Sequence, residues 1–237
     1  MEVHTHGHHG GKKNWKAYIW EFLMLFCAVF CGFLAEWKLE HVIENQREQE
    51  YTVSLIKDIE EDVAQTDRLL NFINNTALTL DSLIAILTTE SFKNDSRQAY
   101  NMYKKSYGFP DFIANDRTIE QLKSSGALRL IRKKDVSDKI MAYDQTVKQI
   151  YVTQNVMNTF LLDNVLYNQF FDFIALNNPN NLSKPIPLTI KGKNLINEVY
   201  ANRLLWKQFV GILIFRFKNV NDDGKKTIAL IKERYKL

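Results

Sequence analysis

The most apolar part of the chain is the segment 18–35, with the sequence YIWEFLMLFCAVFCGFLA. Its one charged residue is Glu21, and it contains no proline. A helix rises about 1.5 Å per residue and the hydrocarbon core of a bilayer is about 30 Å thick, so a spanning helix needs about 20 predominantly apolar residues. The pattern therefore predicts one transmembrane helix over residues 18–37, with Glu21 reaching the headgroups or shielded by a partner helix.

Two other interpretations of this segment stay open. A cleaved signal peptide has a similar basic start and apolar centre, but the residues that follow Ala35, EWKLE, offer no helix breaker and no small-x-small cleavage site. A core helix of a soluble protein is the third interpretation. An uncleaved anchor is favoured, because the sequence after Ala35 continues the helical pattern without interruption.

The charges that flank the span indicate its orientation. Lysines precede it, and acidic residues dominate the positions that follow it. The flanking residues are Lys12, Lys13 and Lys16 before the span, and Glu36, Glu40, Glu44, Glu48 and Glu50, with Lys38 and Arg47, after it. Under the positive-inside rule, residues 1–17 form a cytoplasmic tail rich in histidine and lysine, and residues 38–237 form an extracytoplasmic domain.

Beyond the span, apolar residues recur at alternating steps of four and three residues, which is the spacing of a helix that buries one stripe in a bundle or coiled coil. No proline interrupts the segment 36–87, so its helix is expected to continue directly from the membrane helix. The stripe consists of Ile59, Val63, Thr66, Leu70, Ile73, Ala77, Leu80, Ile84 and Leu87.

Two shorter helices are predicted from capping and turn residues. The first covers about residues 96–107 and ends before Gly108. The second follows Asp116, which is a suitable cap, and stops at Gly126, where a left-handed glycine ends the helix.

A second long helix is predicted from residue 136 to about residue 174, with Asp135 as its cap. Gln154 and Asn164 interrupt its apolar stripe, and polar residues at such positions often determine register or partner choice. The stripe consists of Val136, Ile140, Tyr143, Val147, Ile150, Gln154, Met157, Leu161 and Asn164.

The last helix is predicted from about residue 193 to the C-terminus, and its continuity through residues 221–224 is left open. The apolar run 210–215 is too short to cross a membrane and is interpreted as core. The fold class that follows is all-α, with an N-terminal transmembrane helix that continues into an antiparallel bundle of about four long helices.

The composition narrows the function. The chain has 237 residues, a net charge of +4 and 46% apolar residues, so it can form a sizeable core and carries too little positive charge to indicate a nucleic-acid partner. Both cysteines, Cys27 and Cys31, lie in the span, so the rest of the chain has none for disulfide or thiolate chemistry. Together with Ala28, Gly32 and Ala35 they form small-residue ridges that let two membrane helices approach closely.

Candidate chemistry is sparse. Four of the five histidines lie in the N-terminal tail, and the chain has no Glu-x-x-His motif, glycine-rich phosphate loop or Cys-x-x-Cys pair. We therefore predict no enzymatic activity and no cofactor. Clustered imidazoles favour Zn, Ni and Cu. The candidate metal ligands are His4, His6, His8 and His9.

An acidic cluster lies on the first long helix, at Asp58, Glu60, Glu61 and Asp62. Paired carboxylates can bind a metal or transfer protons. These four residues lie between positions of the apolar stripe, so a solvated helix face is the preferred interpretation.

Three segments carry a family resemblance: the start MEVHTHGHHGGKKNWKAYIWEFLMLFCAVFCGFLAE, the central NDRTIEQLKSSGALRLI, and the C-terminal NLINEVYANRLL through ALIKERYKL. In them the chain resembles a family of membrane-anchored helical proteins of Bacteroidetes-type bacteria. The resemblance implies an inner-membrane anchor with a periplasmic helical domain and a native histidine-rich start, and it implies no activity. The stretch GILIFRFKNVNDDG is more apolar than its counterpart in the family.

The sequence therefore predicts a single-pass membrane protein whose helical domain binds a protein partner, or forms a homo-oligomer, as a non-enzymatic interaction or scaffold module of the cell envelope. Two alternatives remain. One is a ligand-sensing domain coupled through the first helix to the membrane, and the other is metal binding by the histidine tail.

Overall fold

The computed structural model describes residues 15–163 and 167–237, without the side chains of residues 163, 167 and 168. Within these ranges the structure consists of α-helices, short 3₁₀ segments, turns and irregular loops, and no β-strand is present. The prediction of an all-α fold that begins with a long helix is confirmed. The chain divides into two compact units with the boundary between Glu50 and Tyr51, and each is described by itself.

The helices differ widely in length. The first, α1, is the longest and confirms the prediction of an uninterrupted helix up to Leu87, since no proline occurs within it. The bounds are α1 Trp15–Leu87, α2 Ser91–Asn94, α3 Arg97–Lys105, α4 Arg117–Ser124, α5 Lys134–Asp163, α6 Tyr167–Phe170, α7 Phe173–Asn177, α8 Ile190–Asn194 and α9 Ile196–Tyr235, with 3₁₀ turns at Ala127–Leu130 and Pro179–Asn181.

In the unit 51–237, three long helical segments lie side by side. Lys232 near the end of α9 pairs with Glu60 on α1 at 2.8 Å, and Lys207 near its start pairs with Asp81. The helix α9 is therefore antiparallel to α1.

The helix α9 is antiparallel to α5 as well. Asp135 at the start of α5 pairs with Arg234 at 2.6 Å, and the rings of Phe160 and Trp206 stack with centroids 5.7 Å apart at the opposite end. The helices α1 and α5 therefore run parallel. The segment 88–133, which contains α2, α3 and α4, leads from the end of α1 back to the start of α5.

The main core lies where the stripes of the three long helices meet. Every position of the two predicted stripes that the structure describes is buried or half-buried. The prediction that these stripes form the packed faces of the helices is confirmed. The fully buried members include Ile73 and Leu80 of α1, Ile150 of α5, and Leu213 and Phe217 of α9.

A second core closes the end of the unit where α1 stops. Short helices supply it, with Phe92 of α2, Tyr100 of α3 and Phe171 packing on Leu87. The ring of Tyr100 meets that of Phe171 edge-on at 5.4 Å. The sequence predicted one long helix up to residue 174, and this prediction is wrong at residues 171 and 172. A new helix, α7, begins at Phe173, and Asp172 caps it by accepting a hydrogen bond from the N–H of Ala175.

The chain folds tightly at this end because of a glycine. A Cβ atom at Gly192 in α8 would lie 2.3 Å from the carbonyl oxygen of Phe170. Only glycine permits this approach of α8 to the backbone of α6.

The last helix is continuous through residues 221–224, which resolves the question left by the sequence. Gly224 is buried where α9 crosses α1, and Asn221 donates from Nδ2 to the carbonyl oxygen of Val63 at 3.1 Å. Asn221 and Gly224 both have low helix propensity, but both contact α1. Packing against α1 therefore outweighs propensity in this part of α9.

Candidate functional site

The first candidate site is the apolar surface of the N-terminal unit. The described residues contain one helix long and apolar enough to cross a membrane, α1, and none of its most apolar window is buried within the protein. Leu25 is 71% and Phe22 70% exposed. The other exposed apolar residues of this stretch are Tyr18, Ile19, Trp20, Leu23, Met24, Phe26, Val29, Phe30, Phe33 and Leu34.

An aromatic ridge runs along one face of this segment. The rings of Phe22 and Phe26 stack with centroids 6.3 Å apart, and those of Phe26 and Phe30 with centroids 5.9 Å apart. The side chains stand four residues apart, about one helical turn, so they form a continuous line.

The opposite face carries the small residues. Glu21, Ala28 and Ala35 are seven residues apart, which is close to two turns and places them on one face. Ala28 lies two residues after Phe26 in the sequence, which at about 100° per residue turns it away from the aromatic ridge. A Cβ atom at Gly32 would meet nothing within 4 Å. The span therefore has a bulky face and a smooth face, and Glu21 shares the smooth one.

The acidic cluster on α1 is not a solvated face throughout, and that prediction is wrong for Asp58 and Asp62. Asp58 is 5% exposed and accepts hydrogen bonds from the backbone N–H and the hydroxyl of Thr118, at 3.1 and 2.6 Å. Arg117 pairs with its other oxygen at 3.2 Å. Asp58 thus accepts hydrogen bonds from the first turn of α4, although it lies on another helix. In an ordinary N-cap, the residue directly before the helix accepts them.

Asp62 makes a second clamp one turn further along. It is 2% exposed and accepts from the N–H of Asn115 at 2.8 Å and from the hydroxyl of Tyr143 at 2.8 Å. Burial raises the pKa of Asp62, although the hydrogen bonds from Asn115 and Tyr143 oppose this rise. Burial also raises the pKa of Tyr143, and the adjacent carboxylate raises it further.

The two carboxylates therefore hold the segment 115–118 against α1 and α5 and have their acceptors occupied. Such a pair stabilises structure and has no free oxygen aimed at a substrate. The sequence contained these two residues but did not indicate their partners, which lie 53 to 81 positions away. Glu60 and Glu61, the other two members of the cluster, are exposed as expected.

A buried guanidinium, which no sequence pattern indicated, lies in α9. Arg203 of α9 is fully buried, lies over the ring of Tyr103 at 4.5 Å from its centroid, and bonds to the side chain of Asn202. Burial lowers the pKa of Arg203, and the nearby phenol groups of Tyr103 and Tyr107 oppose this. The ring face of Tyr103 offers the negative potential that such a cation requires.

The predicted metal ligands His4, His6, His8 and His9 lie outside the described residues. Within residues 15–163 and 167–237, no group of three or more histidine, cysteine or acidic residues is placed to hold a metal ion. Metal binding by the tail therefore stays a prediction.

One surface cavity combines polar lining with an unpaired buried atom. It has a volume of about 260 Å³ and lies between residues 111–113 and α5. The buried oxygen Oε1 of Gln154, a lining residue, has no hydrogen-bond partner within the described part of the chain.

Comparison of the chain with protein-family models, with curated proteins and with solved structures finds no match.

Proposed function

We propose that the protein is a single-pass anchor of a bacterial inner membrane, with a cytoplasmic tail and a periplasmic helical domain, and that it acts without catalysis as an interaction or scaffold module of the cell envelope. The observation that carries the proposal is the exposed apolar surface of α1 before residue 36. Water disfavours a continuous surface of this kind, whereas a hydrocarbon core accommodates it.

The orientation rests on the flanking charges and the family resemblance. Lysines stand before the span and glutamates after it, which favours retention of the N-terminus in the cytoplasm. The test is labelling by a membrane-impermeant maleimide in intact spheroplasts, with single cysteines in a chain whose native cysteines are serine. We expect Thr88→Cys to react at once and Glu2→Cys to react only after permeabilisation. The reverse pattern would contradict the orientation.

A homo-oligomer through the membrane helix follows from the two faces of the span. The smooth face, with Ala28 and Gly32, allows close backbone contact in lipid, and a partner helix there would also shield Glu21. Cys27 and Cys31 are exposed and adjoin this face.

The test is oxidative crosslinking in native membranes. We expect a disulfide-linked dimer through Cys27 or Cys31, and a weaker one when Gly32→Leu obstructs the smooth face. The matched control is Phe26→Cys in a chain whose native cysteines are serine, since Phe26 lies on the aromatic ridge. Equal crosslinking from both faces would show random collision and remove the oligomer from the proposal.

A further inference from the structure

A second set of strongly exposed aliphatic side chains lies at the end of the bundle where α1 stops. Residues 173–197 together with α3 form this end, the tip. Ile174 is 87% exposed, Ile190 85% and Leu182 72%. Each is more exposed than Leu25, the most exposed large apolar residue of the predicted membrane span, at 71%. Water disfavours such side chains, so their presence on one surface indicates a contact with a partner or with lipid.

The packing of two short helices directs the isoleucines outward. In α7, Leu176 is buried in the second core, and Ile174 lies two residues earlier, about 200° around the helix. In α8, Gly192 packs against the backbone of Phe170, and Ile190 again lies two residues earlier. The residue that attaches each helix to the core therefore leaves the isoleucine of that helix facing solvent.

Hydrogen bonds place Leu182 near the first isoleucine. The amide of Asn181, the residue before Leu182, donates to the carbonyl oxygen of Ala175, the residue after Ile174, at 3.3 Å. Arg97 of α3 donates to the carbonyl oxygen of Asn181 at 2.7 Å. The two aliphatic side chains therefore belong to one surface, and α3 holds its backbone in place.

The tip is also basic. Segment 173–197 contains three lysines and no acidic residue, and segment 96–110 contains three basic residues and no acidic one. Lys104 lines the same surface cavity as Phe173, the residue before Ile174, so its charge lies beside the apolar surface. The exposed lysines of the tip are Lys104, Lys105, Lys184, Lys191 and Lys193.

The acidic residues that border the tip do not reverse this charge. Glu90 pairs with Lys93 at 2.7 Å, and Asp172 accepts a hydrogen bond from the first turn of α7, whereas Glu198 is exposed. Even with these border residues included, segments 88–110 and 172–198 contain seven basic and four acidic residues. The surface around the exposed aliphatic groups therefore attracts anions.

We propose that the tip binds the surface of an anionic phospholipid membrane, with its exposed isoleucines and leucine among the acyl chains and its lysines at the headgroup phosphates. Apolar side chains that insert and basic residues that meet anionic headgroups are the two components of interfacial membrane binding. The tip lies at the far end of its unit from Tyr51, about 54 Å along α1, and Tyr51 is where the chain connects to the N-terminal unit. The lipid is therefore that of a second membrane, and this assignment rests on the proposed anchor.

The experiment uses the full-length protein in nanodiscs of phosphatidylcholine, which accommodate the anchor. The discs are mixed with sucrose-loaded vesicles of phosphatidylcholine alone or of an equimolar mixture with phosphatidylglycerol, and the vesicles are sedimented. We expect discs that contain the protein to sediment with the anionic vesicles, to do so less at high salt, and to stay in solution with the neutral ones. Discs without protein are the control and should stay in solution with both.

A double variant tests the apolar part of the surface. Ile174→Ser with Ile190→Ser should weaken binding to anionic vesicles at least about tenfold, because each side chain gains free energy when it leaves water. Leu78→Ser with Val152→Ser, at exposed aliphatic positions of the long helices, is the matched control and should leave binding unchanged.

A triple variant tests the charge. Neutralisation of three lysines of the tip should weaken binding at least about tenfold, because each lysine near an anionic surface contributes about fivefold. A control with three exposed lysines of the long helices has the same net charge and should bind as the parent does. The tip variant combines Lys184→Gln, Lys191→Gln and Lys193→Gln, and the control combines Lys57→Gln, Lys218→Gln and Lys225→Gln.

The outcomes separate the tip from the anchor. Discs that contain the protein but sediment with neither kind of vesicle, or equally with both, would overturn the proposal. Unchanged binding in the isoleucine variant would overturn it too, as would an equal loss in the two lysine variants, since the surface would then act only through its net charge. Protein that fails to enter the discs would instead contradict the anchor, and its binding to anionic vesicles would still report on the tip.

Discussion

The helix α1 contains two regions that differ in composition and in surroundings. Before residue 36 its apolar side chains are exposed, with Leu25 at 71%, whereas after residue 50 stripe residues such as Ile73 and Leu80 are completely buried. The first region is apolar on every face, and the second is apolar along one stripe. A helix that is apolar all round requires an apolar solvent, and a helix with one stripe requires a partner helix.

Hydrophobicity alone therefore does not identify a segment as part of a protein core. The number of apolar faces on the helix distinguishes a core helix from a membrane helix, because each apolar face must contact either lipid or protein. The polar residues show the same contrast, since Glu61 is exposed and Asp62, the next residue, is buried.

An arginine placed in either region should have a stronger effect than the substitutions that follow. Leu25→Arg opposes membrane insertion, since arginine at the centre of a span costs about 2.5–3.5 kcal/mol. Leu213→Arg places an unpaired charge in the core and should abolish folding of the domain. Alkaline extraction of membranes and thermal melting measure the two outcomes. We expect Leu25→Arg to affect extraction only and Leu213→Arg melting only, and a shared loss would contradict the division.

The next effect concerns the buried carboxylate. Asp62→Ala leaves the hydroxyl of Tyr143 and the N–H of Asn115 without their acceptor, and each buried unpaired group costs about 1–3 kcal/mol. We expect a loss of roughly 2–4 kcal/mol in the free energy of unfolding, measured by chemical denaturation. Its neighbour Glu61→Ala is the control and should change stability by less than about 0.5 kcal/mol. Equal effects would mean that Asp62 is solvated.

A smaller change in stability is expected from alanine substitution at two glycines of α9, with opposite signs at the two positions. At Gly224 an added Cβ would lie 2.7 Å from Cγ2 of Val63, so Gly224→Ala should destabilise the domain by about 1–3 kcal/mol. At Gly211 it would meet nothing within 4 Å, so Gly211→Ala should stabilise α9 by about 0.5–1 kcal/mol. Thermal melting of both variants gives the signs, and two stabilising substitutions would show that α9 is not held tightly against α1.

The smallest effect is a pair of opposite pH dependences. Burial would raise the pKa of Asp223, but hydrogen bonds from Lys139 and Thr146 outweigh it and lower the pKa, so its stabilising contribution is lost as pH falls below about 4. Burial raises the pKa of Asp62, so its contribution is complete at low pH and lost as pH rises through the folded pKa.

Denaturation curves against pH for Asp62→Asn and Asp223→Asn test these signs. Relative to the parent, Asp62→Asn should appear more favourable as pH rises from about 4, and Asp223→Asn more favourable as pH falls below about 4. If both variants showed the same pH dependence of stability as the parent protein, the assigned pKa shifts of Asp62 and Asp223 would be wrong.

Much of the fold could be predicted because helices are local. The stripe of α1, with Ile59, Ile73 and Leu80, and that of α5 follow from spacing alone, and the structure buries them as expected. The start of α4 after Asp116 and the left-handed conformation of Gly126, with φ of 69°, were predicted for the same reason. Each depends on residues within a turn or two.

The candidate sites were less predictable because they depend on distant contacts. Nothing near Asp58 indicates that Thr118 will donate to it, and the stripe containing Gln154 does not reveal that Asp111 will orient its amide. The interruption between α6 and α7 was missed because Phe171, which lies there, packs against Tyr100 of α3.

The helical class, the apolar first helix and the buried stripes could be predicted from periodicity, since periodicity expresses the geometry of one helix. Contacts between helices were needed to establish that α9 continues through Gly224, that Asp58 of α1 caps α4 from a distance, and that Asp62 holds Asn115 and Tyr143. These outcomes depend on which helices pack together and on their relative position along the bundle axis. That information resides in contacts between residues 50 to 160 positions apart, beyond the reach of any local pattern.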